Sequence, residues 1–308
     1  MCWPRQPSTP DTPTSSANRS TAPAPWADAA RRVTTLAAVT DRIHTLLRPP
    51  RPVGIEVVTD PVRRRAIGIE IAIVLTLTFG LSGASSALSL LEDALRPGGI
   101  GGQTVALNQS TSANEYIDLA RQLLSATRLF AIAALAVYLV YRSGVALHRA
   151  GITRRPTRID LAWGAGLAAG IGIPGLGLYL VARALNFNAQ VLPSDLTETW
   201  WRLPMLVVSA IGNSAAEEFL VVAYLITRLR QLGWSENRSL LASALLRGSY
   251  HLYQGLGGGL GNVVMGLVYG RFFQLTRRTW PLVIGHALID TVAFVGYALL
   301  RDHLTWLT

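Results

Sequence analysis

Two adjacent carboxylates, Glu217 and Glu218, lie inside a long apolar run of the sequence. An ionisable side chain at bilayer depth is costly, and such residues are functional by default. Neighbouring carboxylates repel each other and both resist ionisation, which suits one of them to act as a general base. Adjacent residues on a helix point about 100° apart, so only one can face a given reacting atom. The alternative is a pair that is buried to hydrogen-bond another helix or an arginine.

Two further pairs of polar residues occur at helical spacing in the next apolar runs. Arg247 and His251 are four residues apart, as are His286 and Asp290, so each pair shares a helix face. His251 could relay protons, orient water, bind a metal or hydrogen-bond a neighbouring helix. Arg247 is expected to neutralise a carboxylate, or else to extend toward the membrane surface.

The His286–Asp290 pair admits several kinds of chemistry. It could form a histidine–carboxylate unit, supply two metal ligands, donate to a developing oxyanion, or only hydrogen-bond another helix. Polar groups on three different apolar runs predict one shared cavity. Two glutamates and two histidines could also hold zinc, and the residues leave this open. Asn213, Ser214 and Asn262 could line the same cavity or make packing contacts.

The elements that must position these residues are predicted to be membrane-spanning helices. The chain has 308 residues, of which 50% are hydrophobic and only 15% are charged. Soluble domains carry about 25% charged residues, so a soluble enzyme is not expected. Apolar runs of roughly 20 residues predict an all-α, polytopic transmembrane helix bundle of about seven spans in a lipid bilayer. The spans are predicted at 66–90, 127–147, 160–184, 203–227, 239–254, 260–276 and 280–300.

The basic residues give an orientation for this bundle. The net charge is +10, and all 28 basic residues are arginine. They lie between apolar runs rather than on one soluble face, so no nucleic-acid partner is expected. With the N-terminus inside, 21 arginines fall in inner segments and 3 in outer segments, as the positive-inside rule favours. The sequence therefore predicts a multi-pass plasma-membrane protein, and arginine without lysine suggests a bacterial host.

The chain is predicted to have two parts. Residues 1–60, rich in Pro, Ser, Thr and Ala near their start, predict a disordered basic cytosolic tail. Residues 61–308 are predicted to form the transmembrane helical domain. Cys2 is the only cysteine, which excludes an intrachain disulfide and a cysteine-based zinc site.

Two other features of the polar region are interpreted as structural. The glycine-rich run 255–261 has no preceding strand and no following lysine, so it predicts a flexible turn between spans and not a phosphate loop. Tyr250 and Tyr253 suit the aromatic belt at a membrane interface.

At these residues the chain resembles the CPBP family of intramembrane proteases, which includes CAAX-processing endopeptidases and bacteriocin-processing relatives. The resemblance covers a protease-like core at about residues 200–300. The family motifs EExxxR, FxxxH and HxxxN/D correspond to residues 217–222, 247–251 and 286–290.

Two motif positions depart from the family pattern. Val222 stands where the first motif has arginine, and Arg247 stands where the second motif has phenylalanine. The resemblance suggests that Arg247 supplies the missing positive charge from the neighbouring helix.

The resemblance implies a glutamate-type intramembrane endopeptidase that hydrolyses peptide bonds of membrane-associated peptide or protein substrates. In this scheme Glu217 activates water with help from His251, while Glu218 tunes or positions the first carboxylate. His286 with Asp290 would stabilise the tetrahedral oxyanion. The scheme uses no metal or other cofactor. The cavity is expected in the cytoplasmic half or near the midplane, opening toward the cytoplasm or the membrane interior.

Two alternative functions come from other classes of protein. A catalytically silent membrane scaffold of the same fold, which binds a partner, is favoured by the missing motif arginine. A proton-coupled transporter is the third hypothesis, because chains of Glu and His also form proton relays. The lack of a visible internal repeat argues against a transporter.

Overall fold

The structure is a computed structural model that describes residues 40–41, 43–300 and 303. The chain divides into two compact units, Met1–Leu47 and Arg48–Thr308. In the first unit, residues 40–41 and 43–47 are helical. Most of the predicted tail, residues 1–39 and residue 42, lies outside the described residues. The second unit contains every residue of the predicted site.

Helices dominate the described part of the second unit, which confirms the predicted all-α, polytopic bundle. The helices are α1 (Pro61–Leu95), α2 (Glu115–Arg142), α3 (Arg158–Ala184), α4 (Arg202–Gln231), α5 (Glu236–Ser249), α6 (Leu256–Thr276) and α7 (Trp280–Leu300). Short π-helical segments interrupt α1 at Thr76–Gly80 and α4 at Glu218–Tyr224. Short 3₁₀ turns occupy Ile100–Gly102 and Leu252–Gln254.

Several helices begin at polar caps that lie outside the apolar runs. The Asp60 side chain accepts a hydrogen bond from the Arg63 backbone N–H at 2.7 Å, with Pro61 at the first helical position. Asn114 caps α2, and Thr157 forms a capping box at the start of α3. Such caps satisfy backbone N–H groups that the first helical turn leaves unpaired. These helices therefore start a few residues before the predicted spans, and α2 absorbs a polar lead-in of about twelve residues.

Within the described residues, five helices, α1 to α4 and α7, are long and apolar enough to cross a membrane. The predicted spans 239–254 and 260–276 correspond instead to α5 and α6. With 14 residues, α5 extends only about 21 Å, less than the roughly 30 Å of a bilayer core. The 21-residue α6 carries Asn262 and Arg271 among its apolar residues. Because α5 and α6 pack together as a hairpin, counting neither as a span leaves the predicted orientation unchanged.

The glycine-rich run at the start of α6 is helical, so the predicted flexible turn is wrong. Only Gly255, with φ 111°, lies outside the helix, which begins at Leu256. A Cβ on Gly257 would lie 2.5 Å from the Ala182 Cβ, and a Cβ on Gly259 would lie 2.6 Å from Leu252. The glycines are therefore needed for the close approach of α6 to its neighbours.

A small parallel sheet joins two loops at the predicted outer end of the bundle. Strand β1 (Thr104–Ala106) pairs with β2 (Gln190–Leu192), with Thr104 opposite Gln190. The Arg183 guanidinium donates to the Gly101 carbonyl at 2.8 Å. These contacts tie the α1–α2 loop to the α3–α4 loop.

Residues just before α1 also belong to the second unit. Ile55 is buried, and the Val58 N–H donates to the Gln231 carbonyl at 2.9 Å. The Arg64 side chain donates back to the Val58 carbonyl at 3.1 Å. The segment before α1 is thereby attached to the end of α4.

Helix α4 lies at the centre of the bundle. In its apolar window 72% of the residues are buried, compared with 6% in α3. It packs against α2 and α7, and Leu206, Leu220 and Ile226 are fully buried. Side chains in the middle of α4 are therefore shielded from both lipid and water.

Candidate active site

Glu217 and Glu218 lie where α4 changes from α-helical to π-helical hydrogen bonding. Glu217 ends the segment Arg202–Glu217, and Glu218 begins the segment Glu218–Tyr224. Short π segments within α-helices are rare and are frequent at functional sites. Both carboxylates are buried, with exposed fractions of 2% and 0%, so both need partners from neighbouring helices.

Glu218 receives two partners through one oxygen atom. Arg247 Nη2, from α5, donates to Glu218 Oε1. His286 Nδ1, from α7, lies 2.9 Å from the same oxygen. Arg247 is fully buried, and a buried charge is tolerated only when it is paired and hydrogen-bonded. Glu218 therefore joins three helices, α4, α5 and α7.

Glu217 has a different set of neighbours. The Tyr250 hydroxyl donates to Glu217 Oε2 at 2.8 Å, and Arg247 Nη2 lies 3.7 Å from that oxygen. His251 Nε2 lies 3.8 Å from Glu217 Oε1, which is too long for a direct hydrogen bond. Among the described residues, this buried His251 nitrogen has no hydrogen-bond partner. The second oxygen of Glu217 and the imidazole thus face each other at a distance that one small molecule could bridge.

The other ring nitrogen of His251 is held by a neighbouring amide. Gln254 Nε2 lies 3.2 Å from His251 Nδ1 and 3.1 Å from the Tyr253 hydroxyl. An amide nitrogen only donates, so His251 Nδ1 is the acceptor and its proton is assigned to Nε2. This assignment directs the Nε2–H group of His251 toward Glu217.

A second polar pair lies beside His286. His286 Nε2 is 3.6 Å from Asp290 Oδ2, and Asn213 Nδ2 donates to that same oxygen at 3.1 Å. Asn213 is on α4, one turn before Glu217, so the two side chains share a helix face. The site therefore continues from the carboxylate pair to Asn213 and Asp290.

The structure brings together all the residues predicted to form the site, Glu217, Glu218, Arg247, His251, His286 and Asp290. Arg247 lies against a carboxylate, as expected, and not at the membrane surface. Of the three polar residues with open assignments, only Asn213 contacts this group. Ser214 and Asn262 hydrogen-bond carbonyls of their own helices, at 3.0 Å in both cases.

Sequence reasoning missed two tyrosines of the site. Tyr250 was expected at the membrane interface, but it is only 6% exposed and contacts Glu217. Its position three residues after Arg247 and next to His251 is the signal that could have identified it. Tyr269 of α6 is fully buried, with its ring centroid 5.9 Å from the Arg247 guanidinium carbon, a cation–π distance.

The donor set does not fit a zinc ion. Within the described part of the chain, no group of three or more His, Cys, Asp and Glu side chains is placed to hold a metal. The Arg247 guanidinium lies against both carboxylates, in contact with Glu218 and 3.7 Å from Glu217. Zinc needs about four ligands at roughly 2.0–2.3 Å, whereas here a protein cation already lies between the acidic groups.

The site is closed on the carboxylate side and accessible on the other. Glu217, Glu218 and Arg247 are almost completely buried. The side chains of His251 and Asp290 are each 15% exposed. A ligand would therefore reach Glu217 from the side bordered by His251 and Asp290.

Ionisable residues buried within membrane helices are costly and mark functional sites. Residues 199–292 match the family model "Type II CAAX prenyl endopeptidase Rce1-like". The match contains α4 to α6 and the site-bearing part of α7, and it confirms the resemblance to CPBP intramembrane proteases. No curated protein and no solved structure matches the chain.

The family match and the apolar helices together support a multi-pass membrane protein with an intramembrane protease domain. The matched segment covers about a third of the chain. The helices α1, α2 and α3, which pack around this segment, lie outside it.

Proposed function

We propose that this protein is a glutamate-type intramembrane endopeptidase, in which Glu217 is the general base. The observation that carries the proposal is the surroundings of Glu217: a buried carboxylate held by Tyr250, with His251 Nε2 at 3.8 Å from its second oxygen. A water molecule bound by Glu217 Oε1 and His251 Nε2 would be fixed for attack on a carbonyl. Fixing a nucleophile in a water-excluding site removes much of the entropic cost of the reaction.

In the proposed first step, the water oxygen bonds to the carbonyl carbon of the scissile peptide. One water proton passes to Glu217, and the carbonyl π electrons move onto the oxygen, which becomes an oxyanion. His286 Nδ1 faces the Glu218 carboxylate, which only accepts, so Nδ1 carries a proton. As the doubly protonated imidazolium, His286 would also donate from Nε2, on the Asp290 side, to this oxyanion. Preorganised donors of this kind are usually the largest electrostatic contribution to catalysis.

In the proposed second step, the carbon–nitrogen bond breaks as the oxyanion electrons re-form the carbonyl group. The leaving amine takes the proton from Glu217, which returns to its carboxylate form. The products are a carboxylic acid and an amine, so the atoms of one water molecule are fully accounted for. Glu218 fixes Arg247 and His286 through its contacts with both, which positions them around Glu217.

The proposed mechanism uses no metal ion. Arg247 supplies the positive charge that the carboxylate pair requires. Its pairing with Glu218 weakens the argument for a silent scaffold, since the positive charge that is missing at Val222 is present on the neighbouring helix.

The proposed substrates are peptides or proteins in the membrane or at its surface. Glu217 lies near the middle of α4, so a soluble substrate would have to enter the bilayer core to reach it. In the predicted N-inside orientation, Asn213, His251 and Asp290 all lie on the outer side of the carboxylate pair. Because His251 and Asp290 border the accessible side of the site, this arrangement supports entry from the outer half of the membrane and not from the cytoplasm.

The test is peptide cleavage by the purified protein in detergent, measured with a fluorogenic peptide library. Wild type, Glu217→Ala and His251→Ala are compared with and without EDTA. We expect wild-type turnover that EDTA leaves intact and that both substitutions abolish. Turnover that is lost with EDTA and restored by zinc would contradict the metal-free mechanism. A folded wild type that cleaves no peptide would contradict the endopeptidase.

A further inference from the structure

Donors to an oxyanion are few on the accessible side of the site. Once ionised, the Asp290 carboxylate only accepts hydrogen bonds. Gln254 Nε2 is already directed to His251 and Tyr253. The remaining N–H groups that border Asp290 are His286 Nε2 and Asn213 Nδ2.

Asn213 is held in one orientation by its contact with Asp290. A carboxylate accepts, so the amide must turn its nitrogen, and not its oxygen, toward Asp290. The hydrogen bond of 3.1 Å uses one of the two amide protons. Within the described part of the chain, Asn213 makes no other side-chain hydrogen bond. Its second N–H group is therefore available, and its direction is set by Asp290.

The position of Asn213 also matches the geometry that water attack requires. Asn213 and Glu217 are four residues apart on α4, on one helix face and about 6 Å apart along the axis. The Asn213 amide and His286 Nε2 border the same oxygen of Asp290. A substrate carbonyl group that faces Glu217 would thus have its oxygen on the side where these two donors meet.

We infer that Asn213 is a catalytic residue that donates its free N–H group to the oxyanion, beside His286, while Asp290 acts as the positioning residue for both donors. This inference rests on the proposed endopeptidase and adds an oxyanion donor to it. It also gives Asp290 a role that needs no proton on its carboxylate.

The inference is tested by moving the amide from one helix to the other. Asn213→Ala removes the donor and is expected to lower kcat by about 10²–10³-fold with little change in KM. The double variant Asn213→Ala/Asp290→Asn places an amide next to the vacated position. Its kcat is expected to be at least about tenfold higher than that of Asn213→Ala. Asn213→Leu keeps the branched shape of the side chain without its donor and should match Asn213→Ala.

Asn262→Ala is the matched control, because among the described residues the side chain of this asparagine of α6 bonds only to the Gly258 carbonyl of its own helix. It should leave kcat unchanged, and thermal unfolding should show that every variant is folded.

The outcomes separate this inference from the proposed function. If Glu217→Ala is inactive but Asn213→Ala and Asn213→Leu keep wild-type kcat, the inference is wrong and the endopeptidase stands. A loss in folded Asn213→Ala that Asp290→Asn does not recover also overturns it, because a purely structural role predicts that result. Full activity of Glu217→Ala would overturn the proposed function, and this inference with it.

Discussion

A single guanidinium, Arg247, stabilises two adjacent carboxylates that are both buried. It donates to Glu218 and lies 3.7 Å from Glu217. Removing one partner of a buried ion pair costs about 3–5 kcal/mol, because the remaining charge is left uncompensated. Arg247 is therefore needed for the fold of the site as well as for its chemistry.

We expect that the source of this positive charge can be moved from α5 to α4. Arg247→Phe alone is expected to destabilise the protein by about 3–5 kcal/mol. Val222 lies four residues after Glu218 on α4, so an arginine there can reach the carboxylates. We therefore expect Val222→Arg, combined with Arg247→Phe, to restore both the melting temperature in detergent and peptide cleavage. A double variant as unstable as Arg247→Phe alone would contradict the exchange.

Tyr250 is expected to hold Glu217 in position for proton transfer. Tyr250→Phe removes a hydrogen bond to a charged group, worth about 1.5–3 kcal/mol, so kcat should fall by about tenfold or more. Tyr224→Phe is the matched control, because the Tyr224 hydroxyl donates to the carboxylate of Glu70 at 2.9 Å, outside the site. Equal losses of kcat in the two folded variants would show that Tyr250 has no special role.

At the level of elements, close packing of α5 against α6 places Arg247. A Cβ on Gly266 would lie 2.8 Å from the Ala244 Cα and 3.4 Å from the Arg247 side chain. Small residues allow such close approach in membrane helices, where van der Waals contact drives association. Gly266 and Gly270 have the GxxxG spacing of a helix-packing motif, which agrees with these contacts.

A larger residue at Gly266 is expected to separate the two helices. Gly266→Leu should destabilise the protein by about 1–3 kcal/mol, as overpacking does, and should reduce cleavage because Arg247 is displaced. Gly296→Leu on α7 is the control, since a Cβ there meets no atom within 4 Å. The check is thermal unfolding and cleavage of both variants. Equal melting temperatures would contradict the proposed role of Gly266.

The sequence was a good guide to helices whose apolar runs are uninterrupted. The predicted span 280–300 coincides with α7, and 160–184 differs from α3 by two residues at its start. Before the predicted span 127–147 the sequence predicts a lead-in helix over 114–126, and the structure joins it to the span as one helix, Glu115–Arg142. The sequence failed at the start of α6, because the helical glycines there are set by packing and not by local propensity.

The candidate site was predictable in its residues but not in its connections. Charged residues in apolar runs identified Glu217, Arg247 and His286, because lipid makes such residues costly. The π-helical segment of α4 has no sequence pattern of its own. Tyr250 was assigned to the interface because a tyrosine near the end of an apolar run is typical of that position.

For the whole molecule, the arginine distribution predicts one orientation in the membrane. With seven spans, or with five spans and an inserted α5–α6 hairpin, the N-terminus is inside and the C-terminus is outside. The loop between α1 and α2 is then outside, and the loop between α2 and α3 is inside.

This orientation can be measured by cysteine labelling. Cys2 is replaced by serine, and single cysteines are introduced at the exposed positions Ala113 or Thr153. A membrane-impermeant maleimide should label Ala113→Cys in right-side-out vesicles and Thr153→Cys only in inside-out vesicles. The reverse pattern would contradict the orientation, and with it the outer position of Asn213 and Asp290 relative to the carboxylates.

The role of Glu217 as general base is tested most directly by the turnover number of Glu217→Gln, compared with the turnover number of Glu70→Gln. Glu70 is a carboxylate in the membrane helix α1 and lies outside the site. It is paired with Arg228, at 2.8 Å between Glu70 Oε2 and Arg228 Nη2. If Glu217 is the general base, Glu217→Gln should lower kcat by about 10²–10⁴-fold while Glu70→Gln retains activity. A folded Glu217→Gln protein with the kcat of wild type would rule out Glu217 as the general base.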